Sequence, residues 1–305
     1  MNTLVLNEVG MRDGLQSLRS IMPTVAKRKW IDTAYEAGVR YMEVASFVPA
    51  KLLPQMADAA EVVAHALTFP DLTVTVLAPN LRGAQDALAS GAHRIMVPVS
   101  VSAAHSQANV RCTPEHMVET FARMCELRDQ AGHPVTMIAG MSTAFGCTLQ
   151  GHVPLDDLLA LTSKVLLAGC DAVSLADTTG YATPGQVAQT LQAVRAIAGD
   201  KLQSAHFHDT RGLALANALV AVQHGIAELD ASLGGIGGCP FAPGVSGNAV
   251  TEDLVFMLQG MGVRTGIDIE RLLVCRALVQ SALPGELLYG HIARAGLPRQ
   301  VQSLV

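Results

Sequence analysis

The sequence predicts an α/β chain folded as a (β/α)8 TIM barrel with extra C-terminal helices. Three observations carry this. Short runs rich in Val, Ile and Leu alternate with longer stretches of helical periodicity. Each run is followed by a stretch too long for a hairpin turn, so neighbouring strands must be parallel and joined by crossovers. Eight such units fit within about 250 residues, the ordinary size of this barrel. The alternative built from the same units is an open, doubly wound sheet.

In chain order, the expected strands cover 4–9, 41–47, 72–77, 94–100, 135–141, 172–177, 202–208 and 229–233. Most are rich in branched aliphatics or bounded by Gly, Pro and Asp. The helix after the sixth strand has both ends marked. Thr183 suits the cap and Pro184 the first helical position. Val187, Leu191, Val194 and Ile197 follow at helical spacing, and Gly199 stops the helix. Thr113 and Pro114 open another helix in the same way. No Gly/Ser linker or low-complexity segment divides the chain. Residues 1–305 are expected to be one domain, with the barrel over about 3–265 and one or two outer helices over about 266–305.

Composition narrows the function. Of the 305 residues, 50% are hydrophobic and 15% charged, which suits strands buried on both faces. A net charge of -5 gives no basic footprint for nucleic acid. No apolar run reaches the ~20 residues of a membrane span. With no basic segment leading into an apolar signal core, a cytoplasmic protein is expected. Cys112, Cys125, Cys147, Cys170, Cys239 and Cys275 include no C-x-x-C pair. Neither a zinc ribbon nor a thioredoxin-type site is indicated, and reduced thiols are expected.

In this fold, chemistry sits where strands end and βα loops begin. The polar residues gather there. The first strand runs into Arg12-Asp13, the second carries Glu43 and leads to Ser46, and the sixth ends in Ser174-Leu175-Ala176-Asp177. The seventh ends in His206-Phe207-His208-Asp209, and the eighth leads into a glycine-rich loop holding Cys239. Alternate residues of a strand point the same way, so His206 and His208 can share an ion. An isolated H-x-H is more often one packed and one solvated histidine. Asp13 at another strand end changes that, completing a two-histidine, one-carboxylate set with open coordination positions. Such N/O ligation favours Mg²⁺ or Mn²⁺, with Fe²⁺, Co²⁺ or Zn²⁺ as alternatives. Arg12 is either half of a salt bridge or a paired donor to a developing oxyanion. Glu43 either holds Arg12 or moves a proton. Cys239 is either a small buried hydrophobe or a thiol carried to substrate by a pliant loop.

Taken together, these residues resemble the 3-hydroxy-3-methylglutaryl-CoA lyase family. The matching segments are Glu8 to Gln16, Ser46-Phe47-Val48 with Lys51, Pro54 to Asp58, Asn80-Leu81 and Gly146-Cys147. They continue with Ser174 to Thr178, His206 to Thr210, Ala214 to Asn217, Gly234 to Pro240, Gly247-Asn248 and Thr251 to Leu254. The resemblance runs from about residue 4 to residue 270. It implies a retro-Claisen cleavage giving acetyl-CoA and acetoacetate. It implies Asp13, His206 and His208 as ligands of a divalent metal, with Asn248 a fourth through its side-chain oxygen. Arg12 is implied as the group stabilising the enolate oxygen. Cys239 or His206 is implied in proton transfer, with Glu43, Asp177, Gln16, Ser46 and Ser174 around the metal and acyl pocket. An acyl-CoA is the expected partner, and Asn80 and the segment near Asn109 are candidates for its tail. A homodimer is also expected, as is common for such barrels.

The chain departs from the family at Met11, usually Pro, and at Ser17-Leu18, commonly Asn-Glu. Arg211 stands where an aromatic is known, and Gly140 stands where some members carry Tyr, which could widen the acyl pocket. Two other readings compete. Isopropylmalate, homocitrate and citramalate synthases share the Arg-Asp pair and the H-x-H strand, and Ser102 and His105 are similar to their fourth-strand segment. Cys239-Pro240 in its glycine loop favours the lyase. A barrel that binds metal and acyl-CoA without catalysis would need neither Arg12 nor Cys239.

Overall fold

The computed structural model describes residues 3–132, 134–237 and 247–299. Its strands are β1 (Val5–Glu8), β2 (Tyr41–Ser46), β3 (Thr73–Leu77), β4 (Arg94–Ser100), β5 (Thr136–Ser142), β6 (Ala172–Asp177), β7 (Leu202–Phe207) and β8 (Glu228–Ala231). All pair in parallel and in sequence order, and β8 closes on β1. The eight-stranded barrel of the sequence analysis is therefore the fold, and the doubly wound sheet is not.

The outer ring follows the expected units. It holds α1 (Thr24–Glu36), α2 (Ala59–Ala66), α3 (Leu81–Ala89), α4 (Ala103–Val110), α5 (Pro114–Ala131), α6 (Leu155–Leu167), α7 (Pro184–Ala198), α8 (Ala214–Gln223) and α9 (Thr251–Gly260). The side chains of Thr113 and Thr183 cap α5 and α7, each followed by proline at the first helical position. After the barrel come α10 (Ile269–Ala282) and α11 (Ile292–Ala295); α10 packs on α1. No described helix is long and apolar enough to cross a membrane. Among the described residues, Cys112, Cys125, Cys147, Cys170 and Cys275 are free thiols.

Six of the strands shift by one or two residues from the expected bounds, and two of these shifts bear on the site. β8 stops at Ala231 because Gly234 and Gly235 take φ of +65° and +62°, which ends extended structure in a tight turn. β7 stops at Phe207, and His208 pairs instead with Asn248 of the returning chain.

The interior can be mapped from one ion pair. Arg94 of β4 and Glu228 of β8 join at 2.9 and 3.0 Å across the barrel, so both point inward. Parallel register carries that direction to their neighbours. Thr75, Met96, Pro98, Ile138, Gly140, Ser174, Ala176, Ser204, His206, Asp230 and Asn7 lie on the same inward rows. In β2 the pairing shifts between Glu43 and Ala45. This bulge brings Ser46, opposite Leu77, onto the inner face along with Glu43.

Candidate active site

The site begins where β1 ends. The chain winds into a π-helical turn over Gly10–Gly14, with the N–H groups of Arg12 and Asp13 donating to the Val9 carbonyl at 3.1 and 2.7 Å. Such turns recur at functional sites because they re-aim side chains. Gly10 is required by space, since a Cβ there would lie 2.6 Å from Glu8 Oε1 and 2.8 Å from Ser232 Oγ. Glu8 secures the turn from below. Its Oε1 accepts from the Gly10 and Leu233 N–H groups, both at 2.9 Å, and its Oε2 from the Thr251 hydroxyl at 2.6 Å. Glu252 accepts from the Gly234 N–H at 3.0 Å and from Arg276 at 2.8 Å. The Arg12-Asp13 turn and the start of the glycine loop thus share one buried framework.

Arg12 donates to Asp13 Oδ1 at 2.7 Å and to Glu43 Oε2 at 2.5 Å. Burial opposes the charge on Arg12, but Glu43 and Asp13 outweigh it and raise the guanidinium pKa further. Burial alone would raise Asp13, yet Arg12 beside it, with His206 and His208, holds its carboxyl well below the usual range. Arg12 and Asp13 therefore face the barrel mouth as a cation and an anion.

Both histidines have their tautomers set by a neighbour. His208 Nδ1 lies 2.7 Å from the Thr178 carbonyl, which can only accept, so the proton is on Nδ1. Its Nε2 is buried, has no hydrogen-bond partner and lies 3.8 Å from Asp13 Oδ2. His206 Nδ1 lies 3.1 Å from Asp230 Oδ2, and Asp230 Oδ1 accepts from Asn7 at 2.8 Å. Burial would lower the His206 pKa, but Asp230 outweighs it and raises it. Asp13, His206 and His208 each offer a ligand atom within 4.8 Å of the others. Asn248 donates its amide nitrogen to Asp13 Oδ2 at 2.8 Å and to the Ile236 carbonyl at 3.1 Å. That second bond fixes which end is nitrogen and leaves Oδ1 buried without a partner. A lone imidazole nitrogen and a lone amide oxygen beside an ionised carboxylate are the donor set a divalent cation takes.

A cavity of about 630 Å³ opens between the segment from the end of β2 to α2 and the segment from Asn80 into α3, and of the residues predicted for the site Ser46 and Asn80 line it. Ser46, Phe47, Met56, Asn80 and Arg82 are among its walls. Ser46 Oγ is buried without a hydrogen-bond partner, and Asn80 also caps α3.

Comparison with known proteins agrees with this geometry. The HMGL-like family model matches residues 3–279. The chain belongs to the HMGL-like family. It is 40% identical over 276 residues to mitochondrial hydroxymethylglutaryl-CoA lyase of Mus musculus, covering 89% of this chain and 84% of that one. Hydroxymethylglutaryl-CoA lyase from Pseudomonas aeruginosa superposes with a TM-score of 0.91 at 36% identity, covering 96% of this chain and 97% of that one. An HMG-CoA lyase from Acinetobacter baumannii, solved with coenzyme A and 3-methylmalate, gives a TM-score of 0.91 at 35% identity, covering 98% and 96%.

In this HMGL-like barrel, Arg12, Asp13, Glu43, His206, His208 and Asn248 come together from β1, β2, β7 and the chain after the glycine loop. Gln16 donates to Asp13 Oδ1 at 3.2 Å, so its contact is with the carboxylate. Ser174 points inward from β6. Asp177 stands one position off the inward row. Its Oδ1 accepts from the Tyr181 and Ala182 N–H groups at 2.7 and 3.1 Å, fixing the loop whose Thr178 carbonyl holds His208. Its Oδ2 is buried without a hydrogen-bond partner. Cys239 lies outside the described residues. Asp230 and Glu8 were not singled out by residue type. The available signal for Asp230 was a carboxylate inside the apolar run of β8, which the closed barrel sets beside His206.

Proposed function

We propose that this chain cleaves 3-hydroxy-3-methylglutaryl-CoA, or a closely related 3-hydroxyacyl-CoA, into acetyl-CoA and the corresponding keto acid. Acetoacetate is the keto acid from the methylglutaryl substrate. The observation that carries this is the convergence of Arg12 with the Asp13, His206 and His208 donor set at one barrel mouth. The CoA-bound relative supports an acyl-CoA as the partner.

A divalent cation, Mg²⁺ or Mn²⁺ on this N/O set, would be held by Asp13, His206, His208 and Asn248 Oδ1 and supplies Lewis acidity toward the substrate hydroxyl. The chain's own residues supply the rest. The hydroxyl proton leaves, the bond between the hydroxyl-bearing carbon and the thioester α-carbon breaks, and its electron pair moves into the thioester as an enolate. Arg12 faces that developing oxygen with N–H groups to spare, since its two described bonds go to Asp13 and Glu43 and Nε has no hydrogen-bond partner. Glu43 keeps the guanidinium in place, so no reorganisation is needed as charge forms. A donor then protonates the α-carbon. Cys239 and His206 are the candidates for the two proton steps. The cavity lined by Ser46, Asn80 and Arg82 would take the CoA chain, with Arg82 a cation for its phosphates.

The test is acetyl-CoA release from 3-hydroxy-3-methylglutaryl-CoA by the reduced protein with Mg²⁺ or Mn²⁺. Release that disappears with chelator and in Asp13→Asn supports the reading. No release from any 3-hydroxyacyl-CoA, alongside condensation of acetyl-CoA with a 2-oxo acid, overturns it in favour of a synthase.

A further inference from the structure

Among the described residues, two other than glycine have a left-handed backbone. Arg111 is one, and it is the cap that ends α4, where that conformation is ordinary. Thr143 is the other, at φ +59°, fully buried in the turn that follows β5. A β-branched residue is an outlier there, because its side chain crowds its own backbone. Strain of this kind persists only where the surroundings over-determine it.

At Thr143 they do. Its hydroxyl donates to the Ser142 carbonyl at 2.6 Å and accepts from the Ser102 N–H at 3.0 Å. The Ser142 carbonyl also accepts from the Val101 N–H at 2.9 Å, so the chains leaving β4 and β5 are joined around this hydroxyl. The Thr143 carbonyl accepts from the Gly146 N–H at 3.3 Å and closes the turn.

The remaining polar group, the Thr143 N–H, donates to Thr178 Oγ1 at 2.8 Å. Thr178 is the residue whose carbonyl lies 2.7 Å from His208 Nδ1. One residue thus takes the N–H of the strained turn on its side chain and the imidazole on its main chain. Beside it, the Ala144 N–H donates to the Ala176 carbonyl at 3.1 Å, and Asp177 ties the far side of the loop to Tyr181 and Ala182. Rotating φ of Thr143 to the usual negative range would turn its N–H relative to the anchored side chain and break the bond to Thr178.

We infer that Thr143 is a positioning residue of the metal centre: its left-handed backbone pins Thr178, and Thr178 holds His208 in the tautomer and orientation that leave Nε2 for the cation. This rests on the metal-dependent part of the lyase reading and adds to it a residue two hydrogen bonds from the His208 ring. Direct outer partners of a ligating histidine are worth 10–100-fold in metal affinity, so a residue one bond further out is expected to be worth about tenfold.

The experiment measures Mn²⁺ affinity by titration calorimetry on the full chain, with the urea midpoint and acetyl-CoA release beside it. The variants are Thr143→Gly, Thr143→Val and Thr178→Val. Both substitutions at 143 remove the same hydroxyl and should lower the urea midpoint. Only glycine keeps the left-handed backbone without strain. Thr143→Gly should therefore bind Mn²⁺ as wild type does, while Thr143→Val and Thr178→Val should each bind about tenfold more weakly and regain activity at saturating Mn²⁺. Wild-type affinity in Thr143→Val, or equal losses in the glycine and valine variants, overturns the inference. If Thr143→Val fails to fold, Thr178→Val decides, and wild-type affinity there overturns it. The expected affinities without acetyl-CoA release from the wild type keep the inference and overturn the lyase reading. A wild type that binds no Mn²⁺ overturns both.

Discussion

Arg12 Nη2 and Glu43 Oε2 meet at 2.5 Å, from the turn after β1 and the middle of β2. The other guanidinium nitrogen is bonded to Asp13, so one planar fork is held by two carboxylates. A lysine cannot span both, since it presents a point charge on a flexible stem. Arg12→Lys should lower kcat by about 10²–10³, the cost of losing a preorganised oxyanion donor. Because the contact forms with the developing charge, kcat and kcat/KM should fall together. A variant that changes KM alone would show that Arg12 only binds substrate.

Glu43→Gln separates the two roles open to this carboxylate. If Glu43 holds Arg12, the amide keeps a neutral hydrogen bond and about a tenth of the activity remains, as expected for the loss of roughly one charge-assisted bond. If Glu43 carries a proton, activity falls as far as in Arg12→Lys and the pH–rate profile loses a limb. The 2.5 Å pairing favours the first outcome.

Asp230 acts one step from the donor set, through His206 Nδ1 at 3.1 Å. Such a carboxylate fixes the ring and its tautomer, and losing it typically costs 10–100-fold in metal affinity. Asp230→Asn should weaken Mn²⁺ binding by about that factor, measured by titration calorimetry. Activity should partly return at saturating Mn²⁺. Unchanged affinity would show that His206 is oriented by packing alone.

Much of this was legible in the sequence because it is local. Period two put His206 and His208 on one face, and a strand end followed by glycine marked Arg12 and Asp13. Thr183-Pro184 and Gly199 bounded a helix by cap chemistry alone. Asp230 was not legible, because its partner is 24 residues away and the contact exists only once β7 and β8 are paired in register. The Thr178 carbonyl that fixes His208 has no side-chain signature at all. The end of β8 was missed for a related reason. Ser232 and Leu233 read as strand, and it is the positive φ of Gly234 and Gly235 that turns the chain.

Arg94 and Glu228 tie β4 to β8 through the barrel interior by two bonds, with Arg94 5.7 Å from the Tyr41 ring. Removing one partner strands the other charge in a buried layer. Glu228→Ala should lose about 3–5 kcal/mol in urea unfolding. Replacing both, as Arg94→Met with Glu228→Leu, should recover most of it, since a buried ion pair is rarely better than apolar packing of similar volume. A double variant as unstable as the single one would mean that the pair contributes more than its desolvation costs.

Glu8 links acidity to folding. Burial pushes its pKa up to about 7 from an ordinary 4.5, against the hydrogen bonds it accepts from Thr251, Leu233 and Gly10. Between those values the folded chain keeps a proton that the unfolded chain has released, so this group's contribution to stability falls as pH rises from 4.5 to about 7 and is flat above. Glu8→Gln holds the neutral form at every pH. Its oxygen can accept from Gly10 and Leu233 while its nitrogen donates to the Thr251 hydroxyl. The variant should match wild type near pH 4.5 and exceed it by up to about 3 kcal/mol at pH 8, read from urea midpoints at constant m. A stability difference that does not change with pH would mean that Glu8 is ionised in the folded state throughout. Its three donors would then outweigh its burial, and the turn that presents Arg12 and Asp13 would rest on a charge.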